Sequence, residues 1–137
     1  MESLKSTKYI TLDGARKMMA AAEAEARNNN WNVAIAIVDA AGNLLMFEKL
    51  DDTQSGSVNI AIGKARTAAA FKRPTKALEE IIAGGRTVFL AVPDLTPLQG
   101  GLPVTSDGQV IGAVGVSGVL SSQDEQVAQA ALDGLMK

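Results

Sequence analysis

Val33-Ala34-Ile35-Ala36-Ile37-Val38-Asp39-Ala40-Ala41-Gly42-Asn43-Leu44 is the stretch that decides the fold. Val33, Ile35 and Ile37 alternate with Ala34, Ala36 and Val38, so a strand here is apolar on both faces. Such a strand belongs at the centre of a sheet, covered on both sides. Asp39 to Asn43 supplies turn residues, and Leu44 to Leu50 reads as the return strand of a hairpin. A sheet of this kind needs further strands beside it and helices over its faces.

The flanking segments provide them. Upstream, Leu12, Ala15, Met19, Ala22 and Ala26 recur at spacings of three and four, which predicts a helix from Leu12 to about Arg27. Thr11 is its N-cap, and the run Asn28-Asn29-Asn30 ends it. Downstream, the polar loop Asp51 to Ser57 leads to a second helix, from about Val58 to Lys72. Ile60, Ala61, Ile62, Ala65, Ala68, Ala69, Ala70 and Phe71 leave it almost no polar face. A helix apolar nearly all round is buried on two sides, so its own sheet cannot be its whole cover. That surplus predicts a homo-oligomer. Pro74 stops the helix, and a short one from Thr75 to Ala83 ends at Gly84-Gly85.

Thr87 to Val92 reads as a third strand, and Pro93 to Gly101 as a loop. Leu102 to Thr105, the Asp107-Gly108 turn and Val110 to Val116 form a second hairpin. Ser122-Gln123-Asp124-Glu125 has the form of a capping box, opening a last helix that runs to about Met136. The expected fold is one α/β (α+β) domain over residues 1–137, with 1–8 as a flexible tail. Its sheet is mostly antiparallel, of about five strands, and flanked by helices.

Composition narrows the chemistry. The chain has 137 residues, and a domain of this size buries roughly 65–70% of its unfolded surface, so it needs no disulfide or structural metal. It contains no histidine and no cysteine, which removes the commonest acid–base, nucleophilic and metal-ligating side chains. Net charge is −2 and no basic run occurs, against nucleic-acid binding. No stretch is apolar for the length of a membrane span, and residues 1–8 lack the apolar core of a signal peptide. A cytoplasmic protein is the expectation.

Four motifs merit chemical reading. Gly115-Val116-Ser117-Gly118 sits where a strand hands over to a helix, which suits either an anion-binding loop or a tightly packed strand exit. It is not a nucleophile elbow, because Val119 stands where that pattern requires glycine and there is no histidine base. Gly63-Lys64 is not a phosphate-binding P-loop, since Val58 and Ala65 break the pattern. Lys64 shares a helix face with Ile60, Thr67 and Phe71, either as a partner for a ligand carboxylate or as a lysine snorkelling at the edge of a buried helix. Gly100-Gly101-Leu102-Pro103 fixes an unusual backbone path, either one wall of a pocket or simply the start of a strand. Glu48, Asp51, Asp52 and Asp39 lack the spacing of a calcium loop and read as a solvated hairpin end. Arg66 and Arg73 are candidate anion contacts or plain solubilising charges.

Taken together, Val38-Asp39-Ala40-Ala41-Gly42-Asn43-Leu44, Gly63-Lys64-Ala65-Arg66-Thr67-Ala68, Gly100-Gly101-Leu102-Pro103-Val104 and Ile111 to Gly118, followed by Gln123-Asp124-Glu125, resemble the GlcG/HbpS-like family. That family also includes haem-binding HbpS and the C-terminal domain of PduO-type corrinoid adenosyltransferases. The resemblance spans roughly residues 9 to 136. It implies a profilin-like α-β-α domain, homo-oligomers, haem or tetrapyrrole binding in some members, and an accessory place beside diol, glycerol or glycolate metabolism. Haem is therefore a candidate cofactor. With neither histidine nor cysteine, its axial ligand here would be methionine, tyrosine, lysine or an oxygen donor, and Met18, Met19, Met46 and Tyr9 are the candidates.

Two functional classes follow. One is a non-catalytic protein binding a small anionic metabolite or a tetrapyrrole, its pocket lined by Lys64, Thr67, Phe71, Gly100, Gly101, Pro103, Ser117 and Gly118. The other is an enzyme or enzyme subunit acting on a small oxygenated carbon compound, with Lys64 as the reactive group and Asp39 or Asp124 as its acid–base partner. A purely structural role in an assembly is a third reading.

Overall fold

A computed structural model describes residues 2–137. Helix α1 is Leu12–Asn28, strands β1 and β2 are Ala34–Asp39 and Leu44–Lys49, and helices α2 and α3 are Ser57–Phe71 and Thr75–Ala83. Strands β3 (Gly101–Ser106) and β4 (Gln109–Ser117) and helix α4 (Ser121–Leu135) complete the order. The sheet is antiparallel throughout, in the order β2-β1-β4-β3. Of the expected tail, Met1 lies outside the described residues, and residues 2–9 are exposed and carry no helix or strand.

The local chemistry explains the elements. Thr11 caps α1 by accepting the Gly14 N–H at 3.0 Å. Asp39 Oδ1 accepts the N–H groups of Ala41 and Asn43, both at 2.9 Å, and so ties the first hairpin turn. Asp107 and Gly108 both take positive φ (52° and 76°), which matches the twist of a tight hairpin. At α4 the helix begins one residue before the expected box. Leu120 holds the N-cap position, and Gln123 reaches back to accept its N–H at 3.3 Å, while Ser122 is exposed.

Strand β1 is central and covered on both sides, as its two apolar faces require: Ala34 to Val38 are fully buried. Ile35, Ile37, Val114 and Val116 face α1 and α4, packing with Met18, Met19, Ala22, Val127 and Ala131. Ala34, Ala36, Val38 and Ala113 face α2, through Ala61, Ala65, Ala68 and Ala69. The result is an α-β-α sandwich with α1 and α4 on one side and α2 on the other. Helix α2 lies very close to the sheet. Ala36, Gly115 and Gly101 share one row across three strands, and a Cβ on Gly115 would collide with the backbone of Ala61 and Ala65.

One expected strand is not there. Residues 87–91 form a 3-10 turn, held by Phe89 N–H to Arg86 O and Val92 N–H to Phe89 O, so the sheet has four strands instead of about five. The β-branched and aromatic run Thr87-Val88-Phe89-Leu90 has strand propensity, but its own hydrogen bonds close it into a turn and it pairs with neither edge strand, β2 or β3. Val88 and Leu90 are 69% and 59% exposed. The loop that follows supplies part of the second cover that α2 needs. Thr96 packs against Gly63, where a Cβ would displace it, and its N–H donates to Thr67 Oγ1 at 3.0 Å.

Candidate functional site

Only part of the expected binding set, Gly100, Gly101 and Gly118, lies about Lys64 and its partner Asp124; Lys64 is 2% exposed. The glycine row lets α2 sink onto the sheet and carries Lys64 into the interior between β4 and α4. Its Nζ donates to the Val116 carbonyl at 2.8 Å and to Asp124 Oδ2 at 3.2 Å. Asp124 is equally buried, and its other oxygen accepts the Val119 N–H at 3.1 Å. Burial pushes the Lys64 ammonium below its ordinary range, opposed by the negative charges of Asp124 and Glu79. Burial likewise pushes the Asp124 carboxyl up, opposed by Lys64 and by the N–H groups of Val119 and Gly118.

The glycines around this pair are shaped by it. Gly100 has φ +132°, and a Cβ there would sit 2.7 Å from both Lys64 Nζ and the Val116 carbonyl. A Cβ on Gly101 would sit 2.5 Å from the Lys64 carbonyl and 2.8 Å from Thr75 Cγ2. The Gly101 N–H donates to Thr75 Oγ1 at 2.8 Å, so buried Thr75 fixes the entry to β3. Gly118, at φ +150°, passes too close to the Asn32 carbonyl to carry a side chain. Ser117 is buried beside Val116 at the end of β4.

The other expected residues point elsewhere. Thr67 is engaged with Thr96, Pro103 is half-buried on the edge strand, and Phe71 stacks at a tilt against Phe89, with centroids 6.4 Å apart. Among the clefts described, the only one that any of these residues lines is the Phe71 cleft of about 400 Å³, shared with Arg66 and the β1–β2 turn. Sequence reasoning placed Asp124 as an acid–base partner and a cap. It missed Thr75, whose position after Pro74 reads only as a helix start. It also missed Gln99, which ties the covering loop down through Glu79 (3.2 Å) and Glu125 (3.2 Å).

The methionine and tyrosine candidates separate cleanly. Met18 and Met19 are core side chains under the sheet, which corrects their standing as ligands. Met46 is half-buried beside Glu23 and Glu48. Tyr9 is 77% exposed and Met136 82%, and both border a cleft of about 500 Å³ floored by Ile10, Val104, Ile111 and Leu135. Met136 was not among the expected donors.

Among the described residues no three aspartates and glutamates come together as a metal-holding group, and no helix is long and apolar enough to cross a membrane. The acidic residues of the first hairpin do something else. Glu48 has a buried Oε2 without a partner and lies against Glu23, which Arg27 holds at 2.9 Å.

Residues 10–133 match the family described as Haem degrading protein HbpS-like. Protein GlcG of Escherichia coli (strain K12) is 46% identical over 114 residues, 83% of this chain and 85% of that one. The crystal structure of the Klebsiella pneumoniae protein ORFY superposes with a TM-score of 0.91 at 35% identity, covering 99% of this chain and 97% of that one. A PduOC:haem complex superposes with a TM-score of 0.85 at 27% identity, covering 93% and 95%. The chain belongs to the HbpS-like family.

Proposed function

We propose that this protein is a non-catalytic small-ligand-binding protein, and that its principal ligand is a haem-type tetrapyrrole held at the cleft between Tyr9 and Met136. The observation that carries the reading is a contrast between two places. Lys64, the reactive amine of the interior, already has two internal acceptors and is closed over by Gly100 and the Gln99 loop. The Tyr9 cleft, by contrast, is open and apolar, with an oxygen and a sulfur donor at its rim.

The residues present fit such a group. Ile10, Val104, Ile111 and Leu135 offer an apolar bed for a flat macrocycle. Tyr9 and Met136 supply donors of the kinds that hold haem iron when histidine and cysteine are lacking. Lys8, resting 3.4 Å from Asp107 at the rim, is an exposed cation for carboxylate substituents. The haem-bound relative supports the ligand class, and it does so for that protein.

The enzyme alternative, with Lys64 reactive and Asp124 beside it, has the right pair of groups but no opening to them. The role we infer is accessory to metabolism of small oxygenated carbon compounds in the cytoplasm, carried out as a homo-oligomer. Exposed Val88 and Leu90 supply the self-association surface.

Titration with haem tests the reading. The protein is expected to shift and sharpen the Soret band, with Tyr9→Phe and Met136→Ala each changing its position or weakening binding. A spectrum identical to free haem overturns it.

A further inference from the structure

Two of the sequence motifs meet at a place the tetrapyrrole reading leaves unused. The β1–β2 turn, Ala40 to Asn43, and the outer face of α2 at Arg66 and Ala70 border the cleft of about 400 Å³ on the opposite side of the sheet from α1 and α4.

Arg66 is set in place there. Gly42 takes φ +85°, a conformation that favours glycine, and the Arg66 stem lies in van der Waals range of it, its Cγ 3.5 Å from where a Cβ would stand. The Arg66 Nε–H donates to the Gly42 carbonyl at 3.1 Å. Asp39 fixes the turn that presents this carbonyl. Stem and Nε are thus fixed, while the two terminal nitrogens have no partner among the described residues. A guanidinium with that edge free takes a carboxylate through two parallel hydrogen bonds. Asp94 lines the same cleft, a non-glycine residue at φ +58°, with no hydrogen-bond or ion-pair partner among the described residues. Ala70, Phe71 and Pro93 give the same cleft its apolar lining.

We propose that this cleft is a second ligand site, for a small amino-acid-like zwitterion: Arg66 receives the carboxylate, Asp94 the ammonium, and Phe71 with Ala70 an aliphatic side chain. The opposed charges argue against dianions, which Asp94 would repel. The site goes beyond the tetrapyrrole reading and shares no residue with the Tyr9 cleft.

The probe is L-leucine, followed by amide chemical shifts in the full chain, with 4-methylpentanoate and isoamylamine as one-ended analogues. Leucine is expected to move the resonances of residues 40–43 and 66, with each analogue binding at least roughly tenfold more weakly, the loss of one charge-assisted contact. Arg66→Gln should weaken leucine by a similar factor, Arg66→Lys by less, and Asp94→Asn should bring leucine and 4-methylpentanoate to parity. Both positions are exposed, and unchanged spectra elsewhere will show the variants folded. Haem binding by Arg66→Gln should equal that of the parent chain, which separates this proposal from the tetrapyrrole reading. No response to millimolar leucine, wild-type affinity in Arg66→Gln, or equal binding of leucine and 4-methylpentanoate by the parent chain would each overturn it.

Discussion

Lys64 Nζ and Asp124 Oδ2 stand 3.2 Å apart in the interior, 60 residues apart in the chain, and tie α2 to the start of α4 across the end of β4. Taking both charges out of water is costly, and their mutual attraction with the added Val116 and Val119 hydrogen bonds roughly offsets it. Removing one partner is different, because it strands the other. Lys64→Ala is expected to lose about 3–5 kcal/mol of stability, and Asp124→Ala a similar amount. The double variant Lys64→Met/Asp124→Leu should lose clearly less than the sum of the singles. Denaturant unfolding measures all three. Additive losses would show that the two groups act independently.

The Glu48 carboxyl gives the protein a pH dependence near neutrality. Burial raises it to about 7, helped by the neighbouring Glu23 carboxylate and opposed by Arg27. Glu23 itself is held low, first by its hydrogen bond to Arg27, so of the two carboxyls Glu48 is the one that titrates near neutrality. A carboxyl raised in the folded state contributes stability that is complete below its unfolded value and is lost as pH rises through its folded one. The melting temperature should therefore fall between about pH 5 and pH 8. Glu48→Gln should flatten that slope. A melting temperature rising over the same window, or an unchanged slope in the variant, contradicts this account.

Val88 and Leu90 project from the 3-10 turn at 69% and 59% exposure, on either side of Phe89, which packs against Phe71 at the end of α2. Light scattering on the purified protein should give an assembly larger than one chain. Val88→Asp/Leu90→Asp should shift it toward the monomer while leaving far-ultraviolet circular dichroism unchanged. A monomer across the micromolar range for the parent chain would remove self-association from the reading.

The features readable in the sequence are those whose cause is local. Thr11 three residues before Gly14, Asp39 ahead of its turn, Asp107-Gly108 between strands and Gly84 after Ala83 each mark a boundary within a few residues of the interaction that makes it. The two-faced apolar run of β1 likewise states its own burial. Residues 87–91 misled because propensity for a strand does not say whether the run will reach an edge: β2 and β3 are the edges, and this run closes into a turn beside neither ladder. At the site, Lys64 stood out as a cation among apolar neighbours. Whether it faced a ligand or a carboxylate of its own chain was decided by Asp124, which the sequence offered as a partner beside Asp39 without a local pattern to choose between them. The Glu23–Glu48 contact joins α1 to β2 and was equally beyond reach, and the acids of the hairpin looked merely solvated.

The account turns on where a tetrapyrrole settles. Amide chemical shifts recorded while iron-free protoporphyrin is added to the isotopically labelled chain locate it directly. The expected result is perturbation confined to residues 8–11, 14, 104–107, 111 and 135–136, with Lys64, Ser117 and Gly118 unmoved. Perturbation centred on Lys64 and Gly118, or none at saturating porphyrin, would contradict it.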